Sequence, residues 1–158
     1  MTETTIRPAG DSDLPAVRRL FTDYVEWLGI DLAFQGFEAE LQALPGKYAP
    51  PDGRLLLAGS GDVPAGCVGL RSIAPGICEM KRLWVAPAFR GRGIGAALVD
   101  RVIREARAIG YAKMRLDTLA SMKPALELYR SRGFGEIPPY YFNPIPETVY
   151  LELDLTAP

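Results

Sequence analysis

The chain of 158 residues contains no histidine. That absence excludes Ser-His-Asp and Cys-His nucleophile systems, HExxH zinc sites and imidazole proton shuttles. Proton transfer must fall to carboxylates, tyrosine, cysteine, lysine or water. Cysteine is scarce as well, with Cys67 and Cys78 alone. Their spacing is not that of a metal-binding pair, and both lie in apolar, strand-like stretches. Buried free thiols are expected, and no metal site. A disulfide across a hairpin is the alternative, which a reducing compartment disfavours. No run of about 18 apolar residues occurs, so no membrane-spanning helix is expected. Met1-Thr2-Glu3-Thr4-Thr5 lacks the basic and apolar regions of a signal peptide, and Thr2 rules out N-myristoylation, so a cytoplasmic location is expected. Charge bias is missing too: 18 Lys and Arg face 19 Asp and Glu, for a net charge of −1. Neither nucleic acid nor a membrane surface is an expected partner.

The rest is an ordinary globular composition, 48% hydrophobic and 23% charged. The length suits one domain, residues 1–158, with a core of its own. A first strand is expected at 4–7, ended by Pro8. Asp11-Ser12-Asp13 offers caps for a helix reaching Gly29, with Leu14, Val17, Leu20, Phe21, Tyr24, Val25 and Leu28 at helical spacing. A shorter helix is expected at 36–44 and a loop at 47–53. Strand-like segments at 54–58, 65–72 and 77–85 are separated by hairpin-length breaks, which reads as an antiparallel meander. A helix over 92–109 buries Ile94, Leu98, Val102 and Ile109. A strand at 113–118, a helix from Ser121 to Gly133, a proline-stiffened loop at 137–146 and an alternating strand at 148–155 complete the chain. The expected fold is a mixed α/β one, ordered β-α-α-β-β-β-α-β-α-β-β, with helices flanking a mostly antiparallel sheet.

The most telling stretch is Leu83-Trp84-Val85-Ala86-Pro87-Ala88-Phe89-Arg90-Gly91-Arg92-Gly93-Ile94-Gly95-Ala96. It reads as a strand, a short connection and a glycine-rich turn opening a helix. Glycines there cost about 1 kcal/mol each relative to alanine, so three of them argue for an exposed backbone. A helix N-terminus presents unpaired N–H groups and a positive dipole end, and Arg90 and Arg92 add charge; the place suits a phosphate. The pattern also matches G-x-G-x-x-A of dinucleotide-binding folds, with Asp117 at the end of the next strand. Against a nicotinamide-dependent oxidoreductase stand the residues between strand and turn and the antiparallel meander before it. A Walker A loop is excluded, because no Gly-Lys-Ser/Thr comes after the turn.

Arg90-Gly91-Arg92-Gly93-Ile94-Gly95 resembles the R-x-x-G-x-G/A acyl-coenzyme A signature of the GNAT N-acetyltransferases. Ala125, Leu128, Tyr129, Gly133 and Phe134 hold the places of that family's second motif, N-x-x-A-x-x-L-Y followed by Gly-Phe. The element order agrees over nearly the whole chain, least over the first fifty or so residues. The motif's asparagine falls on Met122, and neighbouring Ser121 is the substitute cap and coenzyme contact. The resemblance implies acetyl-coenzyme A as acyl donor, with its pyrophosphate on the amides of Gly91, Arg92, Gly93, Ile94, Gly95 and Ala96. It also implies a bulged strand that splays from its neighbour, so that pantetheine pairs with the backbone along Leu83, Trp84 and Val85, and an oxyanion held by amides near Val85.

On this reading Tyr129 is the general acid for the departing thiolate. Glu79, among apolar neighbours on the strand leading to the turn, is the candidate base; a salt bridge with Lys81 or Arg71 is the alternative, and Asp117 is the reserve. Acceptor contacts are expected from Tyr24, Gln35, Asp117, Tyr140, Tyr141 and Asn143. Trp27, Phe34 and Phe37 are expected to pack. The implied activity is acetyl transfer to a primary amine of a small molecule or peptide, in a ternary complex. A non-catalytic acyl-coenzyme A sensor of the same fold is the alternative. A homodimer is compatible with the sequence.

Overall fold

The computed structural model describes residues 3–157, so the reading of Met1 and Thr2 lies outside the described residues. The chain forms β1 (Thr4–Pro8), α1 (Leu14–Leu28), α2 (Phe37–Ala43), β2 (Arg54–Ser60), β3 (Val63–Ala74), β4 (Ile77–Val85), α3 (Ile94–Ile109), β5 (Lys113–Leu119), α4 (Lys123–Ser131), β6 (Gly135–Ile137) and β7 (Thr148–Asp154). Single 3-10 turns occupy Asp11–Asp13, Ala33–Gln35, Gly46–Tyr48 and Pro87–Phe89. This is the expected mixed α/β order. The helix expected from Arg92 starts at Ile94, because Gly93 caps it at φ +77, outside helical geometry. The first of the two strands expected after the last helix is β6, which ends at Ile137, where the loop expected at 137–146 begins. Ser121 does not cap α4; Met122 is the N-cap residue and no side chain closes that end.

The strands form one sheet in the order β1-β2-β3-β4-β5-β7-β6. All neighbours are antiparallel except β4 and β5. That parallel pair needs a crossover, and α3 supplies it. One sheet face packs on α3 and α4 through Leu56, Val68, Met80, Leu98, Val102 and Leu116. The other packs on α1 and α2 through Leu57, Cys67 and Trp84 against Val17, Phe21 and Phe37. Full burial of each such side chain contributes about 1.5–3 kcal/mol. With a core on both faces, β4 is fixed in place. Cys67 and Cys78 belong to opposite cores and are both free thiols, so they do not face each other across the hairpin.

Two irregularities of β4 position the cleft. The first is a change of register. Gly69 pairs with Lys81 but Cys67 pairs with Trp84, so Val68 alone faces Arg82 and Leu83. This is a β-bulge. Arg82 takes φ +60, a conformation that costs a side-chain-bearing residue about 1–2 kcal/mol. The extra residue resets the alternation: Met80 and Leu83, three apart, share the α3 face, while Lys81 and Arg82 both reach the other side, toward Gln35. The second is a divergence of strands. β4 pairs with β5 only at Ile77–Lys113, Cys78–Met114 and Glu79–Arg115. Beyond these the strands part, and β5 continues along β7 instead.

Close backbone approach makes the opposite side of β4 intolerant. A Cβ on Gly66 would lie 2.7 Å from the Trp84 carbonyl oxygen and 3.3 Å from Leu98 Cδ1. Gly66→Ala is therefore expected to destabilise the fold by about 1–3 kcal/mol, measured as a lower urea midpoint at unchanged slope.

Candidate active site

The parting of β4 and β5 opens a cleft lined by both strands, the end of α1, the Gln35 turn, α4 and the loop before β7. Beyond the end of β4, Gly91 and Gly93 adopt φ +79 and +77, which bends the chain out of the Pro87–Phe89 turn and into α3. The first helical bond is Ala97 N–H to the Gly93 carbonyl, 3.0 Å. Among the described residues, the backbone amides of 91–96 find no acceptor. They therefore form a row of free donors at the positive end of a sixteen-residue helix. A group rich in anionic oxygens fits there, and no side chain blocks it: a Cβ on Gly91 or Gly93 would meet nothing within 4 Å.

Arg90 and Arg92 flank this row. The Arg90 guanidinium stacks on Trp84 and Trp27, 4.8 and 5.3 Å from the ring centroids, and its Nε donates to the Val85 carbonyl at 3.2 Å. Arg92 stacks on Phe89. The Val85 carbonyl is thus held by a side chain of the turn that follows it. Leu83 lines the cleft beside it. Trp84 does not: its indole packs with Tyr24 and Trp27 in the α1 core, where it supports Arg90.

Tyr129, on α4, is 7% exposed and lines the cleft, with no hydrogen-bond partner for its hydroxyl among the described residues. Burial pushes its pKa up, and Tyr24 and the charge of Asp117 add to the rise. The phenol keeps its proton at neutral pH. Asp117, on β5, lines the same cleft, and its Oδ1 lies 3.8 Å from Lys81 Nζ. Tyr24 and Asn143 also line it. Ser121 is exposed and does not.

Glu79 lies elsewhere. It is 1% exposed and faces a neighbouring outer cavity with Arg71, Arg115, Tyr140 and Tyr141. Arg71 donates to its Oε1 through Nε and Nη2, at 2.9 and 2.8 Å, and the Tyr140 hydroxyl donates to its Oε2 at 2.5 Å. Both carboxylate oxygens are engaged, so the salt-bridge alternative with Arg71 describes this residue. Arg115 stacks on Tyr140, and Tyr140, Tyr141 and Tyr150 pack edge to face or tilted with centroids 5.3–5.7 Å apart. The Tyr141 hydroxyl accepts from Gln35 Nε2 at 3.3 Å and Asn143 Nδ2 at 3.1 Å. Gln35 and Lys81 line both cavities and form the partition between them.

Sequence reasoning offers Lys81 only as a partner of Glu79 and does not single out Arg82. Both are buried, and both donate to Gln35 Oε1 at 2.9 Å. The guanidinium of Arg82 also grips Glu40, through Nε at 2.9 Å and Nη2 at 3.1 Å, and lies over the Phe37 ring. Two adjacent cations, in a strand whose remaining charge is Glu79, are the available signal. Burial lowers the Lys81 pKa, against the opposing pull of Glu79 and Asp117. Neither cysteine offers a nucleophile: burial raises both thiols, Cys78 to about 12.

Because both oxygens of Glu79 are bound, Glu79→Gln strands the Arg71 charge on a half-buried wall. It is expected to destabilise the fold by about 2–4 kcal/mol in urea unfolding. Tyr140→Phe, which removes one hydrogen bond to the carboxylate, is expected to cost about 1–2 kcal/mol in the same assay.

Comparison with known proteins places this geometry. The sequence profile of the acetyltransferase (GNAT) family matches residues 15–134. An uncharacterised N-acetyltransferase of Schizosaccharomyces pombe is 42% identical over 146 residues, covering 91% of this chain and 90% of that protein. Among solved structures, a GNAT acetyltransferase of Staphylococcus aureus superposes with a TM-score of 0.81 at 20% identity, over 98% of this chain and 100% of that one. An N-acetyltransferase of Thermoplasma acidophilum, solved in complex with coenzyme A, superposes with a TM-score of 0.75 at 18% identity, over 96% and 99%. The chain belongs to the acetyltransferase (GNAT) family, and its fold is that of these acyltransferases.

Proposed function

We propose that the chain acts as one domain that transfers the acetyl group of acetyl-coenzyme A to a primary amine of a small molecule or peptide, with donor and acceptor bound together. One observation carries the reading: the unpartnered Tyr129 hydroxyl and Asp117 line one cleft between strands that part, and β4, which lines it at Leu83, leads on to the free amides at the start of α3. Family membership supplies the donor class, and the coenzyme A complex of the Thermoplasma relative supports it.

When bound, acetyl-coenzyme A supplies an activated acetyl thioester. The amides of 91–96 hold the pyrophosphate, with Arg90 and Arg92 beside it. The open side of β4 at Leu83 and Val85 holds the pantetheine arm in the manner of an added strand. That pairing requires the Arg90 Nε to give up the Val85 carbonyl. An acceptor amine is mostly ammonium at neutral pH, and Asp117 takes its proton, directly or through water. Asp117 is preferred to Glu79 because it shares the cleft with Tyr129, whereas both oxygens of Glu79 are occupied. Nitrogen bonds to the acetyl carbon, the carbon–sulfur bond breaks, and Tyr129 donates its proton to the sulfur. The second proton lost by the nitrogen returns to the phenolate through water. The raised pKa of Tyr129 keeps the phenol protonated until the thiolate forms.

Titration calorimetry with acetyl-coenzyme A is the first test. Binding in the micromolar range is expected, with Gly93→Asp weakening it by about 100-fold or more, since it adds a side chain at positive φ and a negative charge beside the anion. No heat from the folded protein would overturn the reading. Tyr129→Phe is expected to lower kcat by roughly 100- to 1,000-fold while leaving donor affinity within about twofold. A sensor without catalysis would show donor binding and no turnover in either protein.

A further inference from the structure

We propose that the acceptor is an amino carboxylate: Lys81 Nζ and Arg82 Nη1, which now converge on the side-chain oxygen of Gln35, take its carboxylate, and Asp117 takes its amine. This inference rests on the acetyltransferase reading above. It starts from an imbalance in the partition between the two cavities. Two buried cations share one neutral oxygen, each at 2.9 Å. The remaining contacts of Arg82 are saturated, because Glu40 takes Nε and Nη2. Among the described residues, Lys81 has, besides Gln35, Asp117 at 3.8 Å, beyond hydrogen-bond length, and the Tyr141 ring, 5.9 Å from its centroid. A carboxylate at the point of convergence would replace a charge–dipole contact with charge-assisted hydrogen bonds from both cations.

Gln35 is placed to yield. It ends a single 3-10 turn, followed by Gly36 at φ +70, and among the described residues its amide nitrogen reaches only the Tyr141 hydroxyl, at 3.3 Å. Charge decides between acceptor classes. Around this point Lys81 and Arg82 are balanced by Asp117 and Glu40. Glu79 is balanced by Arg71. A site already neutral accepts a zwitterion without leaving a buried charge uncompensated, which a simple amine or a dianion would not allow. The opposed pair Lys81–Asp117 mirrors an ammonium and a carboxylate on the same or neighbouring carbons. Asp117 lines the cleft with Tyr129, so an amine held there points toward the donor thioester.

The test is acetyl transfer, read as release of the coenzyme thiol, with the common α-amino acids as acceptors. The best of them is then compared with its own amide and its decarboxylated amine. The expected result is a kcat/KM for the amino acid at least about 100-fold above either analogue, since a site built for a polar group rejects compounds that lack it. Lys81→Met is expected to raise KM for the amino acid about tenfold or more, with acetyl-coenzyme A affinity within about twofold by calorimetry. Gln35→Glu gives the same two cations a permanent carboxylate. It is expected to keep the fold, with an unchanged or higher thermal midpoint, and to raise the same KM about tenfold. Equal use of the analogues, no acetylation of any amino acid by protein that binds acetyl-coenzyme A, or an unchanged KM in both variants would each overturn the inference. Failure to bind acetyl-coenzyme A would instead overturn the acetyltransferase reading, and this inference with it.

Discussion

The bulge at Arg82 is the constraint on which the site depends. It puts a residue at φ +60 into the middle of a buried strand, and the side chain at that position offsets the strain. The guanidinium clasps Glu40 through two nitrogens, stacks on Phe37 and donates to Gln35. That clasp ties α2 and the turn before it to the sheet. It also turns Lys81 and Arg82 to one face together, which a regular strand cannot do. Past Glu79 the strand follows β3 and leaves β5, so the bulge and the cleft lie on the same stretch of β4.

The cleft gains its chemistry from the difference between two carboxylates. Glu79 precedes the divergence, where β4 and β5 still pair, and is closed off by Arg71 and Tyr140. Asp117 comes after it, two positions beyond the last paired residue of β5, and lines the opened space. Their residue chemistry is alike; pairing geometry alone separates a structural anchor from a group available to a ligand. The buried ions around them are a weak source of stability, because desolvation offsets most of their attraction. Their value lies in shape and charge held ready at one point.

The free amides of 91–96 and the phenol of Tyr129 come from different devices. Left-handed glycines make the first, by bending the chain so that α3 begins with its N–H groups unclaimed. The second comes from the packing of α4 against Phe134 and the α3 core, which buries the ring and leaves the hydroxyl unpartnered. Arg90 lies across two indoles and holds the Val85 carbonyl, so the end of β4 is not bare.

Much of this is legible in the sequence, because it rests on local rules. Alternation and helical spacing place the elements, with exceptions in their bounds: α3 starts two residues late because Gly93 is left-handed, and β6, present in the expected order, takes its bounds only from the structure. The glycine turn and its free amides derive from glycines and helix termini, which act over a few residues. The placement of Tyr129 comes from motif spacing on one helix. Pairing partners are not legible. Whether Glu79 meets Arg71 or a ligand, whether Asp117 shares a cleft with Tyr129, and that Lys81 and Arg82 converge on Gln35 depend on contacts between residues distant in sequence and on one extra residue in β4. A bulge reverses the facing of the residues after it, and no local pattern in Met80-Lys81-Arg82-Leu83 announces the reversal. Local backbone preference decided the elements and the anion-binding turn; only the packed sheet, by fixing register and divergence, decided which charges were committed to the fold and which were left for a ligand.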